Sequence, residues 1–532
     1  MLVGYVSDDR YVALDNVLLE FEKDGESHET TSRATGAIYL EIEPGRYKIT
    51  LRKDGYTPKS VDMDIPSNEP YHFRLLSDRL LGYVWPKWVQ AGERSEFRVH
   101  SSKAYRLDLY RYGWEKEHIR TLGWFDEHGP SATMQITPDG DYTQTGVEWN
   151  KRGYSGNPHH TQFVTGPNRS GLYYLHAKTE ENEFFSFPWI VAPSSPVAKI
   201  AVLASNINWN AYNSFGGRSN YIHPDKLPEK PTVNSRLDLD RYTKSVSSGY
   251  RHSSYAPVSF DRPEPINHIP ESVIITDPIE GRSACHVCPA EWRLFGWMEK
   301  EQFSYDLYAE TQLHSGVLDL SDYKILIIST HPEYWSQEMY FKTKQWVFEQ
   351  GGKLMYLGGN GLNCEVSISD NLAVTHHNGM WGGAAGELAE IDKESRFDIY
   401  HESEANLLGV RCTDSGIMTG APYKAVDTSH WIFEGTGLKN GDIFGEQNLH
   451  VRCSGGASGH ETDKISPSSP KNIKLLAKGL NPEDGGAEIV HYETSSGGSV
   501  FSVGSINYPS SLPVDPNIQK ITRNVLERFL AG

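Results

Sequence analysis

"YKILIISTHPEYWSQEMYFKTKQWVFEQGGKLMYLGG", residues 323–359, decides the fold. Near its start, residues 325–328 are apolar without alternation, which reads as a strand buried on both faces. A second such run, residues 354–357, lies near its end. Between them Ser336 stands where a helix cap belongs. Met339, Thr343, Trp346, Val347 and Gln350 fall on one side of that helix, and Gly351 and Gly352 stop it. Strand, helix and strand at this spacing make a βαβ unit. "KIAVLAS" (199–205) and "SVFSVGS" (499–505) share the same character: short, apolar on both faces and ended by Gly or Ser. Residues 196–532 therefore read as an open α/β domain.

Working outward, "APSSPVAK" (192–199) is a Pro/Ser linker and marks a boundary. Before it, residues 79–195 carry short strands at regular spacing, bracketed by "LLGYVWPKWVQAGERSEFRVHS" and "SGLYYLHAKTEENEFFSFPWIVAP", as in a β-sandwich. In residues 1–78, "TGAIYLEIEPGRYKITLRKDGY" alternates Ile38, Leu40 and Ile42, turns at Pro44 and Gly45, and alternates again through Tyr47, Ile49 and Leu51. This predicts a hairpin with one buried face. Its rhythm resembles the small transthyretin-like sandwich, the carboxypeptidase regulatory-like domain. The expected fold is thus multidomain: two N-terminal β-sandwiches followed by an α/β domain.

The chain has 532 residues and a net charge of −18, which argues against nucleic acid as a partner. No apolar stretch approaches the roughly 20 residues that span a membrane. The N-terminus, "MLVGYVSDDR", lacks the basic and apolar regions of a signal peptide. Five cysteines, an odd number, suit a reducing cytoplasm. "CHVC" pairs Cys285 and Cys288, but a structural zinc site needs a second pair or two suitably spaced histidines. These two therefore read as buried or loop thiols.

Open α/β sheets bind ligands at the carboxyl ends of their strands. Here those ends lead into "NINWNAYNSFGGRSNYIH" (206–223), "THPEYW" (330–335), "GGNGLN" (358–363) and, in a fourth candidate loop, "SGGASGHETDK" (454–464). They bring Tyr212, Tyr221, His331, Glu333, Asn360 and Glu461 to one edge. No G-x-S-x-G elbow, H-E-x-x-H pair or phosphate-binding G-x-x-x-x-G-K-[ST] loop is present. No cysteine lies at 330–336, which excludes a thiol nucleophile there. Singly, each residue has a plainer reading. The tyrosines pack on the sheet, Glu333 faces a helix N-terminus, His331 is a hydrogen-bonded half-buried histidine, and Asn360 occupies a left-handed position. Their convergence favours chemistry. Two tyrosines and a carboxylate are hard oxygen donors, which suit ferric iron better than zinc.

"AYNSFGGRSNY", "STHPEYWS" and "GGKLMYLGGNG" together resemble the large (beta) subunit of the N,N-dimethylformamidase family, over residues 80–532. The resemblance implies a glutamine-amidotransferase-like (flavodoxin-like) α/β domain. It also implies one ferric iron held by Tyr212, Tyr221 and Glu333, with His331, Asn360 and Glu461 as catalytic residues. The implied activity is hydrolysis of the C–N bond of small formamides. Glu461 is expected to have a raised pKa and to take a proton from water. His331 and Asn360 are expected to stabilise the oxyanion, and Trp209, Phe215 and Trp335 to line an apolar pocket. The implied partners are a small amide, further copies of the chain and a separate small subunit.

A long polar loop after Tyr221 carries Tyr242, Tyr250 and Tyr255, any of which can replace Tyr221 as ligand. Two alternatives stay open. One is an iron hydrolase of the same fold for another amide, lactam or urea, since the long loop can reshape the pocket. The other is a carbohydrate-binding protein built on the aromatic-rich sandwiches.

Overall fold

Each face of a nine-stranded mixed sheet is covered by helices. A computed structural model describes residues 1–101, 103–125, 134–135, 148–149, 162–216, 219–220, 229–233, 257–279, 283–376 and 392–532. In spatial order the sheet runs Asp306–Ala309, Ile200–Ala204, Ile325–Thr330, Lys353–Gly358, Ser499–Ser502, Glu488–Glu493, Lys474–Gly479, Tyr423–Ala425 and Ile443–Phe444. The first five strands are parallel. The remaining pairings are antiparallel.

Alternate residues of the parallel strands feed two cores. Ile200, Val202, Ile325 and Ile327 pack with Leu294, Phe295 and Met298 of the helix Cys288–Lys300. Leu326, Ile328 and Leu354 pack with Met339, Trp346 and Val347 of the helix Gln337–Glu349. Burial on both faces explains the uninterrupted apolar runs. Each such side chain contributes about 1.5–3 kcal/mol relative to leaving it exposed. The helix Gln337–Glu349 begins where Ser336 Oγ accepts from Met339 N–H at 3.3 Å, and Gly351 (φ 79°) ends it; Gln350, expected on the packed side, is exposed.

Ahead of this sheet lie two pairs of smaller sheets. Among the described residues, the strands between Leu81 and Ala192 form a three-stranded and a five-stranded sheet, with Met134–Gln135 and Glu148–Trp149 paired separately. Tyr83, Phe97, Leu107, Leu109, Leu175 and Trp189 lie in the core of this pair. The strands between Leu2 and Arg74 form a three-stranded and a four-stranded sheet around Val6, Leu19, Phe21, Ile49 and Phe73.

The predicted hairpin at residues 38–51 is not formed. Ala37–Tyr39 pairs with Leu2–Ser7, whereas Gly45–Arg52 pairs with Leu18–Lys23 and Lys59–Ile65 in the other sheet. Both strands do bury one face. Alternation reports a buried face without naming the neighbour, and here the turn residues join two sheets.

Candidate active site at the strand ends

Tyr212 reaches the edge of the sheet on a helix rather than a loop. Strand Ile200–Ala204 passes directly into the helix Asn206–Tyr212, of which Tyr212 is the last residue. Glu291 anchors the start of that helix, accepting from Ser205 N–H at 3.1 Å and from Trp209 Nε1 at 2.8 Å. Burial pushes the Glu291 carboxyl up to about 8, against the pull of those two donors.

The other strand ends turn sharply. Thr330, Asn360, Leu362 and His460 have φ of 62°, 50°, 56° and 68°. Left-handed backbone at a β-branched threonine is unusual, and such strain gathers at functional sites. Gly359 allows the close approach this needs, since a Cβ there would sit 2.4 Å from the Glu461 carbonyl oxygen. The Glu461 segment is tied to the end of strand Ser499–Ser502 by the bridge Thr462–Ser505 and by Asp463 N–H donating to the Gly504 carbonyl at 2.8 Å.

These turns bring five of the six expected residues together. The Tyr212 hydroxyl donates to Glu333 Oε2 at 2.9 Å. Arg396 Nη2 holds the other Glu333 oxygen, Oε1, at 2.7 Å. His331 Nε2 lies 3.4 Å from Glu333 Oε2 and 3.0 Å from Glu461 Oε2. Asn360 Nδ2 donates to the same Glu461 Oε2 at 2.8 Å, and Asn363 Nδ2 donates to Asn360 Oδ1. His331, Glu333, Asn360 and Glu461 are all buried. Tyr221, Tyr242, Tyr250 and Tyr255 lie outside the described residues.

The electrostatics reverse one expectation. Burial alone would raise the Glu461 carboxyl, but the adjacent His331 overrides it and holds Glu461 below the usual carboxylate range. Burial alone would lower His331, but Glu461 and then Glu333 raise it. The pair is therefore carboxylate and imidazolium, not a carboxyl with a raised pKa. The raised carboxyl is its neighbour Asp463, pushed up to about 7 by burial. Asp463 Oδ1 accepts from Asn360 N–H at 2.8 Å, and Oδ2 from the Tyr356 hydroxyl at 2.6 Å. The Tyr356 oxygen accepts in turn from Gly361 N–H at 2.7 Å. Asp463 thus fixes the left-handed turn that aims Asn360 at Glu461.

Trp209, Phe215 and Trp335, expected to line one apolar pocket, fall in three different packed clusters among the described residues. Trp209 donates to Glu291, and Trp335 Nε1 donates to Glu310 Oε1 at 2.9 Å, both within the core. Phe215 packs into the core of the second pair of small sheets.

The donor set suits a hard cation. A phenol oxygen and a carboxylate oxygen face each other, and Arg396 occupies the second carboxylate oxygen, so Glu333 presents one oxygen to a metal. Among the described residues, no group of three or more His, Cys, Asp or Glu residues offers an alternative site.

Three residues at the site carried no clear mark in the sequence. His286 Nδ1 lies 3.2 Å from His331 Nδ1, with its ring edge-on to Tyr212 at 4.3 Å. It sits inside "CHVC", where the thiols draw attention; Cys288 there accepts from the Tyr174 hydroxyl at 3.1 Å. Asp463 follows Glu461 within "GHETDK". Nothing local distinguishes Arg396.

A family model described as N,N-dimethylformamidase beta subunit-like, C-terminal, matches residues 106–522. The N,N-dimethylformamidase beta subunit of Paracoccus aminophilus is 26% identical over 416 residues, which cover 68% of this chain and 52% of that protein. The subunit of the same name from Alcaligenes sp is 25% identical with the same coverage. The chain spans about half the length of the curated relatives it matches. Among solved structures, a beta-galactosidase from Bacillus circulans sp. alkalophilus aligns with 45% of this chain and 27% of its own at 15% identity and a TM-score of 0.28, too loose a match to bear on the fold.

Proposed function

We propose a hydrolytic function from one premise: the chain belongs to the N,N-dimethylformamidase beta subunit-like family. The reaction is hydrolysis of the C–N bond of small amides such as N,N-dialkylformamides, releasing formate and an amine. One ferric iron is held by Tyr212, Glu333 and a second tyrosine, for which Tyr221 is the candidate. The parallel half of the large sheet is then the glutamine-amidotransferase-like, flavodoxin-like part of the fold.

The observation that carries this reading is the meeting of Tyr212, Glu333, His331, Asn360 and Glu461, from three strand ends of the large sheet and the segment around Glu461, within 2.8–3.4 Å of one another in a chain of contacts. Bound iron supplies Lewis acidity toward a carbonyl oxygen and a water molecule. The protein's own groups handle the protons. His331 and Asn360 both engage Glu461 Oε2, so Oε1 takes a proton from the attacking water. That proton passes to the amine nitrogen as the C–N bond breaks. His331 and Asn360 therefore hold the base in the resting state, rather than waiting as dedicated oxyanion donors. Arg396 offsets the charge of Glu333 where burial would otherwise disfavour it.

The relatives are named as beta subunits, and a separate small subunit and a homo-oligomer are proposed for this chain by that analogy. Among the described residues no helix is long and apolar enough to cross a membrane; a cytoplasmic setting remains the proposal from cysteine usage. The carbohydrate-binding alternative gains little support. Among the described residues of the sandwiches, the exposed aromatics Tyr39, Trp124 and Phe163 sit on three different sheets.

The test is an assay of iron-loaded protein, alone and with a candidate small subunit, on formamides, acetamides, lactams and ureas. Formamide hydrolysis supports the reading, and activity confined to lactams or ureas moves it to the alternative substrate. Activity on none overturns it.

A further inference from the structure

The helix Asn206–Tyr212 ends with a problem of satisfaction. Its last carbonyls and those of the following turn need donors, and no basic residue lies in its last turn. Backbone donors meet part of that need: Asn213 N–H donates to the Asn210 carbonyl at 3.3 Å and Asn220 N–H to the Ala211 carbonyl at 2.9 Å. Two distant guanidinium groups add to them. Arg262 Nη2 donates to the Asn210 carbonyl at 3.0 Å, and Nη1 to the Phe215 carbonyl at 2.6 Å. Arg74 Nη2 donates to the Gly216 carbonyl and, at 3.1 Å, to the Asp9 carbonyl.

Arg74 comes from an unexpected direction. It ends the strand Tyr71–Arg74, which pairs in parallel with Leu2–Ser7 in the first pair of small sheets. It is fully buried, with 0% exposure, although it crosses from one folded unit into another. A second tie lies close by in the same unit. Val12 and Thr232 form a parallel bridge, with Ala13 N–H donating to the Thr232 carbonyl at 2.7 Å and Thr232 N–H to the Tyr11 carbonyl at 3.2 Å. The family match begins only at residue 106, so the whole unit lies outside it.

We infer that the N-terminal sandwich is a positioning module for the active site, acting through Arg74 on the turn 213–216 that follows Tyr212. A buried guanidinium is costly unless its donors are used. This one spends a donor on a backbone carbonyl four residues from the Tyr212 phenol's own backbone. Gly216 has φ 82°, a conformation that favours glycine. Arg262 holds the near side of the turn and Arg74 the far side. Tyr212 is thereby fixed from two folded units, and the first of them touches neither substrate nor the reacting atoms.

The kinetic part of this inference rests on the proposed hydrolytic reading; the structural part does not. The test compares wild type, Arg74→Met and Arg74→Lys in the full chain. Hydrogen exchange is read on peptides covering 206–216 and 325–335, and kcat and KM on the best amide of the panel. Arg74→Met is expected to speed exchange in 206–216 but not in 325–335. It should lower kcat about tenfold or more with little change in KM, as a slightly misplaced catalytic group does. Arg74→Lys keeps one donor and should recover part of both. Unchanged exchange in 206–216, or loosening confined to residues 1–75, overturns the inference. If the wild type cleaves no amide, the exchange measurement alone decides. If Arg74→Met does not fold, native-state exchange of the wild type in rising urea decides. Loss of protection in 206–216 together with the sandwich supports the inference, and persistence of that protection after the sandwich has opened contradicts it.

Discussion

The Tyr212 hydroxyl donates to Glu333 Oε2 at 2.9 Å, across 121 residues of chain. One residue ends a helix and the other follows a strand, so neither geometry determines the other locally. The contact exists because the parallel sheet brings both strand ends to one edge. With Arg396 on the second oxygen, Glu333 is limited to a single oxygen on the Tyr212 side.

His331→Ala should retain iron while losing turnover, because His331 contacts both carboxylates and its main partner is Glu461. Loss of that partner from the base should lower kcat by roughly 10²–10³, the range seen when one charged or hydrogen-bonding catalytic group is removed. Metal analysis alongside steady-state kinetics checks this. Loss of stoichiometric iron in the variant contradicts it.

Glu461→Gln should keep the fold and the iron and suppress hydrolysis by roughly 10²–10⁴, since an amide oxygen does not accept the proton of water usefully. Asn360 and His331 can still donate to that oxygen. Near-normal turnover would remove Glu461 from the mechanism.

The same pair should leave a mark on stability without metal. Glu461 is held below its ordinary 4.5, so its contribution is present above pH 4.5 and fades as the pH falls below that. His331 is held above its ordinary 6.5, so its contribution is complete below pH 6.5 and fades as the pH rises through the raised value. The stability gap between wild type and Glu461→Gln should therefore be widest between about pH 4.5 and 6.5 and narrow on both sides. Thermal unfolding of the metal-free proteins from pH 3 to pH 10, on the order of one point per pH unit, measures it. A gap independent of pH contradicts the ion pair.

Asp463→Ala should lower turnover by roughly 10²-fold through misplacement of Asn360, without removing any group that touches substrate. Asp463→Asn retains an acceptor for Asn360 N–H and should keep more activity than the alanine variant. Equal losses in both variants would mean that the carboxylate itself, not the turn it holds, matters.

Much of this site is legible in the sequence because buried parallel strands announce themselves as unbroken apolar runs, and their carboxyl ends are where ligands bind. His331, Glu333 and Asn360 could be named from that rule. Arg396, Asp463 and His286 could not, since they enter by tertiary approach across 63, 103 and 45 residues. The same limit explains the misread aromatics. Trp209 and Trp335 lie beside the site in sequence, but their indole N–H groups found buried carboxyl groups and their rings joined the core. Strand pairing near the N-terminus failed for a related reason: Ile38 and Tyr47 each signal a buried face, but only the assembled sandwich decides which sheet each joins.

The most direct test is the visible absorption spectrum of the iron-loaded protein, with and without the Tyr212 hydroxyl. Phenolate on ferric iron gives a ligand-to-metal charge-transfer band, so the wild-type protein should be coloured. Tyr212→Phe keeps the ring and its packing against His286 and removes the oxygen. It should weaken or shift the band, lower the iron content and abolish hydrolysis. Phe variants at Tyr221, Tyr242, Tyr250 and Tyr255, read in the same way, identify the second tyrosine; Tyr221 is expected to behave as Tyr212 does and the other three as wild type. A Tyr212→Phe protein with full iron, unchanged colour and wild-type turnover, or a wild type that stays colourless and iron-free after anaerobic ferrous loading and air oxidation, contradicts the metal centre at its foundation.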